Sequence, residues 1–108
     1  MPSRYLTLAL LCALAPSVWA GEEPAGERRA ELIHLVRQDC GSCHGMSFNG
    51  GLGPALTPEA MRSKPAEAMV ATIVWGRAGT AMPPWKQFMS EAEAKWVVER
   101  LRNGFPEK

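Results

Sequence analysis

Two thiols three residues apart, Cys40 and Cys43, with His44 directly after them, limit what this 108-residue chain can become more than any other feature. The only other cysteine, Cys12, lies in a stretch with the character of a secretory leader. Arg4 is the sole charge among the first twenty residues, Leu6 to Ala15 is an almost unbroken apolar run, and Pro16 ends it. Val18-Trp19-Ala20 then puts small residues at the places a signal peptidase reads. The run falls short of the about 20 apolar residues that a membrane-spanning helix needs. A cleaved signal peptide over 1–20 is therefore expected rather than a retained anchor, with no stable membrane insertion after cleavage. Leu11 is not small, which argues against a lipid-modified Cys12. Cleavage after Ala20 leaves 108 − 20 = 88 residues, 21–108, as a single domain. A domain of that size is marginal on core burial alone and normally carries a staple, a metal or a cofactor. A disulfide between Cys40 and Cys43 closes too short a loop to stabilise much. The thiols must serve something else.

Charge narrows the partners. The chain has 12 Lys+Arg and 11 Asp+Glu; without Arg4 the counts are 11 and 11, so the mature domain is neutral overall. That balance argues against nucleic acid or an anionic membrane surface as a partner.

The pattern along the chain is helical. Glu27 to Asp39 reads as a helix, with Leu32, Ile33, Leu35 and Val36 as an apolar stripe and His34 an ordinary, partly exposed histidine. Cys40 to Pro58 contains no Asp, Glu, Lys or Arg and five glycines, and reads as a loop. Thr57-Pro58-Glu59 has the form of an N-cap, a first-turn proline and an acid, and starts a short helix to about Arg62. Ala66 to Trp75 forms another, stopped by Gly76. A second uncharged loop, Ala78 to Trp85, precedes a last helix that opens on a Ser90/Glu93 capping box and ends at Gly104. No stretch alternates strictly enough for a strand, so the expected class is all-α, with four to five short helices.

Cys-x-x-Cys-His is the spacing of covalent haem attachment. Two thiols about one helical turn apart can each add to one vinyl group of a single porphyrin, and the adjacent histidine is then held under the iron. A thioredoxin-like dithiol needs a βαβ setting that the chain does not offer. A zinc knuckle needs a second Cys/His pair, and only His34 remains. The other axial position decides between carrier and enzyme, because a thioether closes the iron to substrates. Met46 is two residues past His44 and cannot reach the opposite haem face; Met69 lies on an apolar helix stripe; Met61 and Met89, near helix ends, read as gap-fillers. Met82 differs. It stands before Pro83-Pro84, which stiffen an extended loop and present the side chain instead of burying it.

Cys40-Gly41-Ser42-Cys43-His44, Gly53-Pro54-Ala55-Leu56, Gly79-Thr80-Ala81-Met82-Pro83 and Lys95-Trp96-Val97 occur in an order that resembles the class I c-type cytochromes. From Asp39 to Pro58 the chain is most similar to the small periplasmic cytochromes of the c-55x type, encoded alongside d1-haem nitrite reductase in denitrifying bacteria. The resemblance implies one haem c per chain, attached at Cys40 and Cys43, with His44 and Met82 as axial ligands. It implies that the Pro54 carbonyl meets the His44 ring N–H, that Trp96 lies against the haem edge, and that Arg77, Thr80 and Trp85 bind haem propionates. It further implies crossed first and last helices, here meeting through Leu32, Val36, Val97 and Leu101. The short span from His44 to Met82 fits a trimmed bacterial form. The implied function is a monomeric, periplasmic electron carrier, not an enzyme. It would donate to d1-haem nitrite reductase or serve the maturation of its d1 haem. Apart from the resemblance, the two uncharged loops themselves point to docking through a small, largely neutral patch. A peroxidase-like haem enzyme and a non-redox carrier of a haem precursor are the competing readings.

Overall fold

The computed structural model describes residues 23–108, and the leader expected over 1–20 lies outside the described residues. Five α-helices follow one another: α1 Gly26–Leu35, α2 Gly41–His44, α3 Pro58–Arg62, α4 Ala66–Trp75 and α5 Glu91–Asn103, with a wide π-turn, Val36–Cys40, joining α1 to α2. Among the described residues there is no strand. The all-α expectation therefore holds.

One boundary differs from expectation. The loop predicted to open at Cys40 opens at Gly45, because the chain stays helical through His44. Gly41 has the composition of a loop signal, yet it keeps helical angles of φ −59° and ψ −32°. A single glycine inside a helix costs only about 1 kcal/mol, too little to interrupt a helix already propagating. Gly45, at φ +93°, takes the left-handed conformation that ends it. The π-turn is the other unforeseen feature; it shifts the helical register just before Cys40.

The remaining helix ends follow their local chemistry. Thr57 Oγ1 accepts from the Ala60 amide at 3.4 Å, with Pro58 in the first turn. At α5 both halves of the capping box form: the Glu93 amide donates to Ser90 Oγ at 3.1 Å, and the Ser90 amide to Glu93 Oε1 at 2.9 Å.

The core is assembled from one face of each longer helix. Leu32, Ile33 and Val36 meet Val70 and Val74 of α4, Met61 of α3, and Ala94, Trp96, Val97, Val98 and Leu101 of α5 in one buried cluster. The four residues expected at the helix crossing, Leu32, Val36, Val97 and Leu101, all belong to it. Met61 and Met89 fill gaps in it, as expected of flexible thioethers. An ion pair ties the starts of α1 and α5 together. Arg28 grips Glu93 with Nε to Oε2 at 2.5 Å and Nη2 to Oε1 at 2.9 Å, and donates to the Phe88 carbonyl at 2.7 Å.

Candidate functional site

The helical run to His44 places both thiols and the imidazole on a single rigid turn. Cys40 is half-buried against the core, Cys43 is exposed, and both are free thiols. Burial, and secondarily the negative charge of Asp39, pushes the Cys40 thiol up to about 11, so it is protonated at neutral pH. Gly45 then reverses the chain, and the loop folds back over the turn it has just left. The Gly50 amide donates to the His44 carbonyl and the Gly53 amide to the Cys43 carbonyl, both at 2.8 Å.

This return brings the Pro54 carbonyl 2.7 Å from His44 Nδ1. With the N–H on Nδ1 donating to that carbonyl, the tautomer is fixed and the Nε2 lone pair is left free for a metal. Gly53 makes the approach possible. A Cβ at that position would lie 2.7 Å from His44 Cε1 and 2.8 Å from Nδ1, inside any normal contact. In the sequence Gly53 is a loop glycine and the first residue of the Gly53-Pro54-Ala55-Leu56 segment, with no role of its own assigned; its closeness to the imidazole emerges from the fold.

Met82 stands on the second loop, half-buried, with its backbone held at both ends. Its carbonyl accepts from the Arg77 amide at 3.1 Å, and its amide donates to Thr80 Oγ1 at 3.3 Å. At Gly76, φ +70° and a position where a Cβ would come within 2.7 Å of the Met82 carbonyl together demand glycine. The Met82 backbone is thus fixed.

The weaker candidates divide. Arg77 is exposed beside the methionine loop with its guanidinium unengaged among the described hydrogen bonds. The Thr80 hydroxyl is spent locally, donating to the Arg77 carbonyl at 2.8 Å while accepting from Met82. Trp85 is half-buried, its ring tilted against Phe88 at 5.6 Å between centroids. The buried Trp96 ring meets Phe105 edge-on at 6.1 Å and lies under the Arg29 guanidinium at 5.9 Å, contacts that account for it without a cofactor.

The residues fit a haem. Leu35, Leu56, Met69, Ile73 and Trp85 pack against the same core as Cys40 and stay only partly covered, apolar surface suited to a porphyrin face. A groove of about 630 Å³ between α4 and α5, floored by Val70, Val74 and Val98, contains none of the predicted site residues.

Residues 28–99 match the family described as cytochrome c oxidase, cbb3-type, subunit III. The chain is 54% identical to cytochrome c55X of Pseudomonas aeruginosa over 93% of its own length and 84% of that protein. It belongs to the c55X family of small c-type cytochromes. The solved c-type cytochrome NirC superposes with a TM-score of 0.72 at 57% identity, covering 75% of this chain and 95% of that one. The dihydro-heme d1 dehydrogenase of Pseudomonas aeruginosa is 38% identical over 95% of this chain, which spans only 20% of that much longer protein. A c55X-type cytochrome is an electron carrier that binds haem c, and the all-α class I cytochrome fold found here is that of the family. No helix among the described residues is long and apolar enough to cross a membrane.

Proposed function

We propose that this chain carries one haem c, bonded through Cys40 and Cys43, and shuttles electrons in the periplasm in the service of a d1-haem system. The observation that carries the reading is the Pro54 carbonyl held 2.7 Å from His44 Nδ1, on the same rigid turn as two free thiols. The bound haem supplies one-electron exchange between its ferrous and ferric states. The protein's own part is to hold two ligands steady. His44 presents Nε2, made a better donor by its bond to Pro54. Met82 presents its thioether from a backbone fixed by Arg77, Thr80 and two prolines. With His44 and Met82 both holding the haem, no position would stay open for peroxide or another substrate, which favours a carrier over an enzyme.

The role in a d1-haem system has two forms: donation to d1-haem nitrite reductase, or service in the maturation of d1 haem. Similarity to a dihydro-heme d1 dehydrogenase across nearly the whole chain supports the second. The uncharged loops Cys40 to Pro58 and Ala78 to Trp85 support docking through a small neutral patch.

Absorption spectra of the purified periplasmic protein, wild type and Met82→Ala, in both redox states, test the site. Wild type is expected to show a methionine–iron charge-transfer band that the variant lacks. An unchanged band in Met82→Ala would sink the assignment, and ready binding of carbon monoxide to wild type would favour the enzyme.

A further inference from the structure

We propose that Arg37, clasped between Phe48 and Phe105, is a positioning residue that holds the Pro54 carbonyl against His44. The inference rests on the reading of His44 as a haem ligand. Arg37 projects from the π-turn just ahead of the attachment turn. Its guanidinium carbon lies 5.1 Å from the Phe48 ring centroid and 5.5 Å from that of Phe105, and the two rings meet edge-on at 5.7 Å. Nη2 donates to the Phe105 carbonyl at 2.7 Å, and Nε and Nη2 to the Pro106 carbonyl at 3.1 and 3.0 Å. One half-buried cation thus locks the segment after α5 to a ring in the attachment loop.

Phe48 is where the lock acts. It is buried, yet its backbone sits at φ +58°, a left-handed conformation that a bulky residue adopts only when its surroundings impose it. Its amide donates to the Gly45 carbonyl and its carbonyl accepts from the Leu56 amide, each at 2.8 Å. Those two bonds clamp both ends of the return that carries Gly53 and Pro54. Phe48 is held in its unfavourable conformation by its two backbone hydrogen bonds, by the Phe105 ring and by the cation over its face, and loss of the cation removes one of these restraints. The clamp then slackens, and the Pro54 carbonyl is the part of the return that touches the haem ligand.

The test is nuclear magnetic resonance of the full, haem-loaded ferrous protein, following solvent exchange of the His44 Nδ1–H. Arg37→Gln is expected to speed this exchange roughly tenfold, the scale of one lost hydrogen bond, at temperatures where the protein is fully folded. Phe105→Leu keeps apolar volume and the backbone acceptors but removes one ring face; it is expected to move exchange the same way by less. Glu107→Gln alters an exposed carboxylate 3.9 Å from Nη2 and is expected to leave exchange unchanged. Wild-type exchange rates in Arg37→Gln and Phe105→Leu, with only a lowered unfolding midpoint, overturn the proposal and leave a structural clasp. A wild-type protein whose haem is not ligated by His44 overturns instead the reading beneath it.

Discussion

Gly53→Ala asks the sharpest question of the attachment loop. The backbone of Gly53 lies outside the left-handed region, so alanine brings no conformational penalty there and the effect is purely steric. The added methyl would sit 2.7 Å from His44 Cε1, where ordinary contact begins at 3.4 Å, so loop and ring must part by 3.4 − 2.7 = 0.7 Å. An imidazole under iron on a thioether-anchored helix cannot retreat, so the loop moves. Added to the present 2.7 Å, that shift puts the Pro54 carbonyl at 2.7 + 0.7 = 3.4 Å from Nδ1. This lies past the range of about 2.7–3.2 Å in which such bonds are strong. The lost bond costs about 1 kcal/mol and the crowding about 1–3 kcal/mol more, giving a destabilisation of about 2–4 kcal/mol. Guanidinium unfolding of the haem-loaded protein, followed in the haem spectrum, measures it. The midpoint potential should rise as well, because an imidazole that no longer donates its N–H pushes less charge onto iron and favours the ferric state less. A variant within about 0.5 kcal/mol of wild type, with an unchanged potential, would refute the argument.

Acid should expose the clasp between α1 and α5. The hydrogen bonds from Arg28 hold the Glu93 carboxyl down at about 2, from an ordinary 4.5, against the opposing effect of burial and with help from the Ser90 amide. A depressed carboxyl stabilises the fold fully above its unfolded value and loses that stabilisation as pH falls through its folded value. The loss therefore runs from about pH 4.5 down to about 2. Because Arg28 is 41% exposed, solvent screening limits the effect to about 1–2 kcal/mol. Unfolding free energies from urea titrations at about pH 6 and pH 3 should differ by a little over half of that amount in wild type and by much less in Glu93→Gln; equal differences in both would exclude this pair as the acid-sensitive element. Met61→Ala, at a side chain only 1% exposed, should cost about 2–5 kcal/mol. It should do so without altering the haem spectrum, and a spectral change would show that α3 reaches the haem site.

What could be read directly were features whose physics is local. The capping box and first-turn proline, the helix stripes of Leu32, Val36, Val97 and Leu101, and the Cys40–His44 spacing each depend on neighbours within a turn or two. Hydrogen-bond donors and thiol spacing along one helix are properties of the string itself. The end of the first helical run was misplaced for the same reason, since Gly41 resembles a breaker when its packing is unseen. The tertiary structure decided the rest. Gly53 became the residue beneath His44, Phe48 took a strained backbone under Arg37, and Thr80 and Trp96 found partners that occupy them. These outcomes depend on which segments return to one another across tens of residues. In the opening motif, the sequence alone determined the spacing of two thiols and an imidazole, and the fold put them on one helical turn. The resemblance carried in the sequence implied that the Pro54 carbonyl would meet that imidazole; the folded chain supplied the means, a loop that turns back at Gly45 and brings Gly53 and Pro54 against the ring.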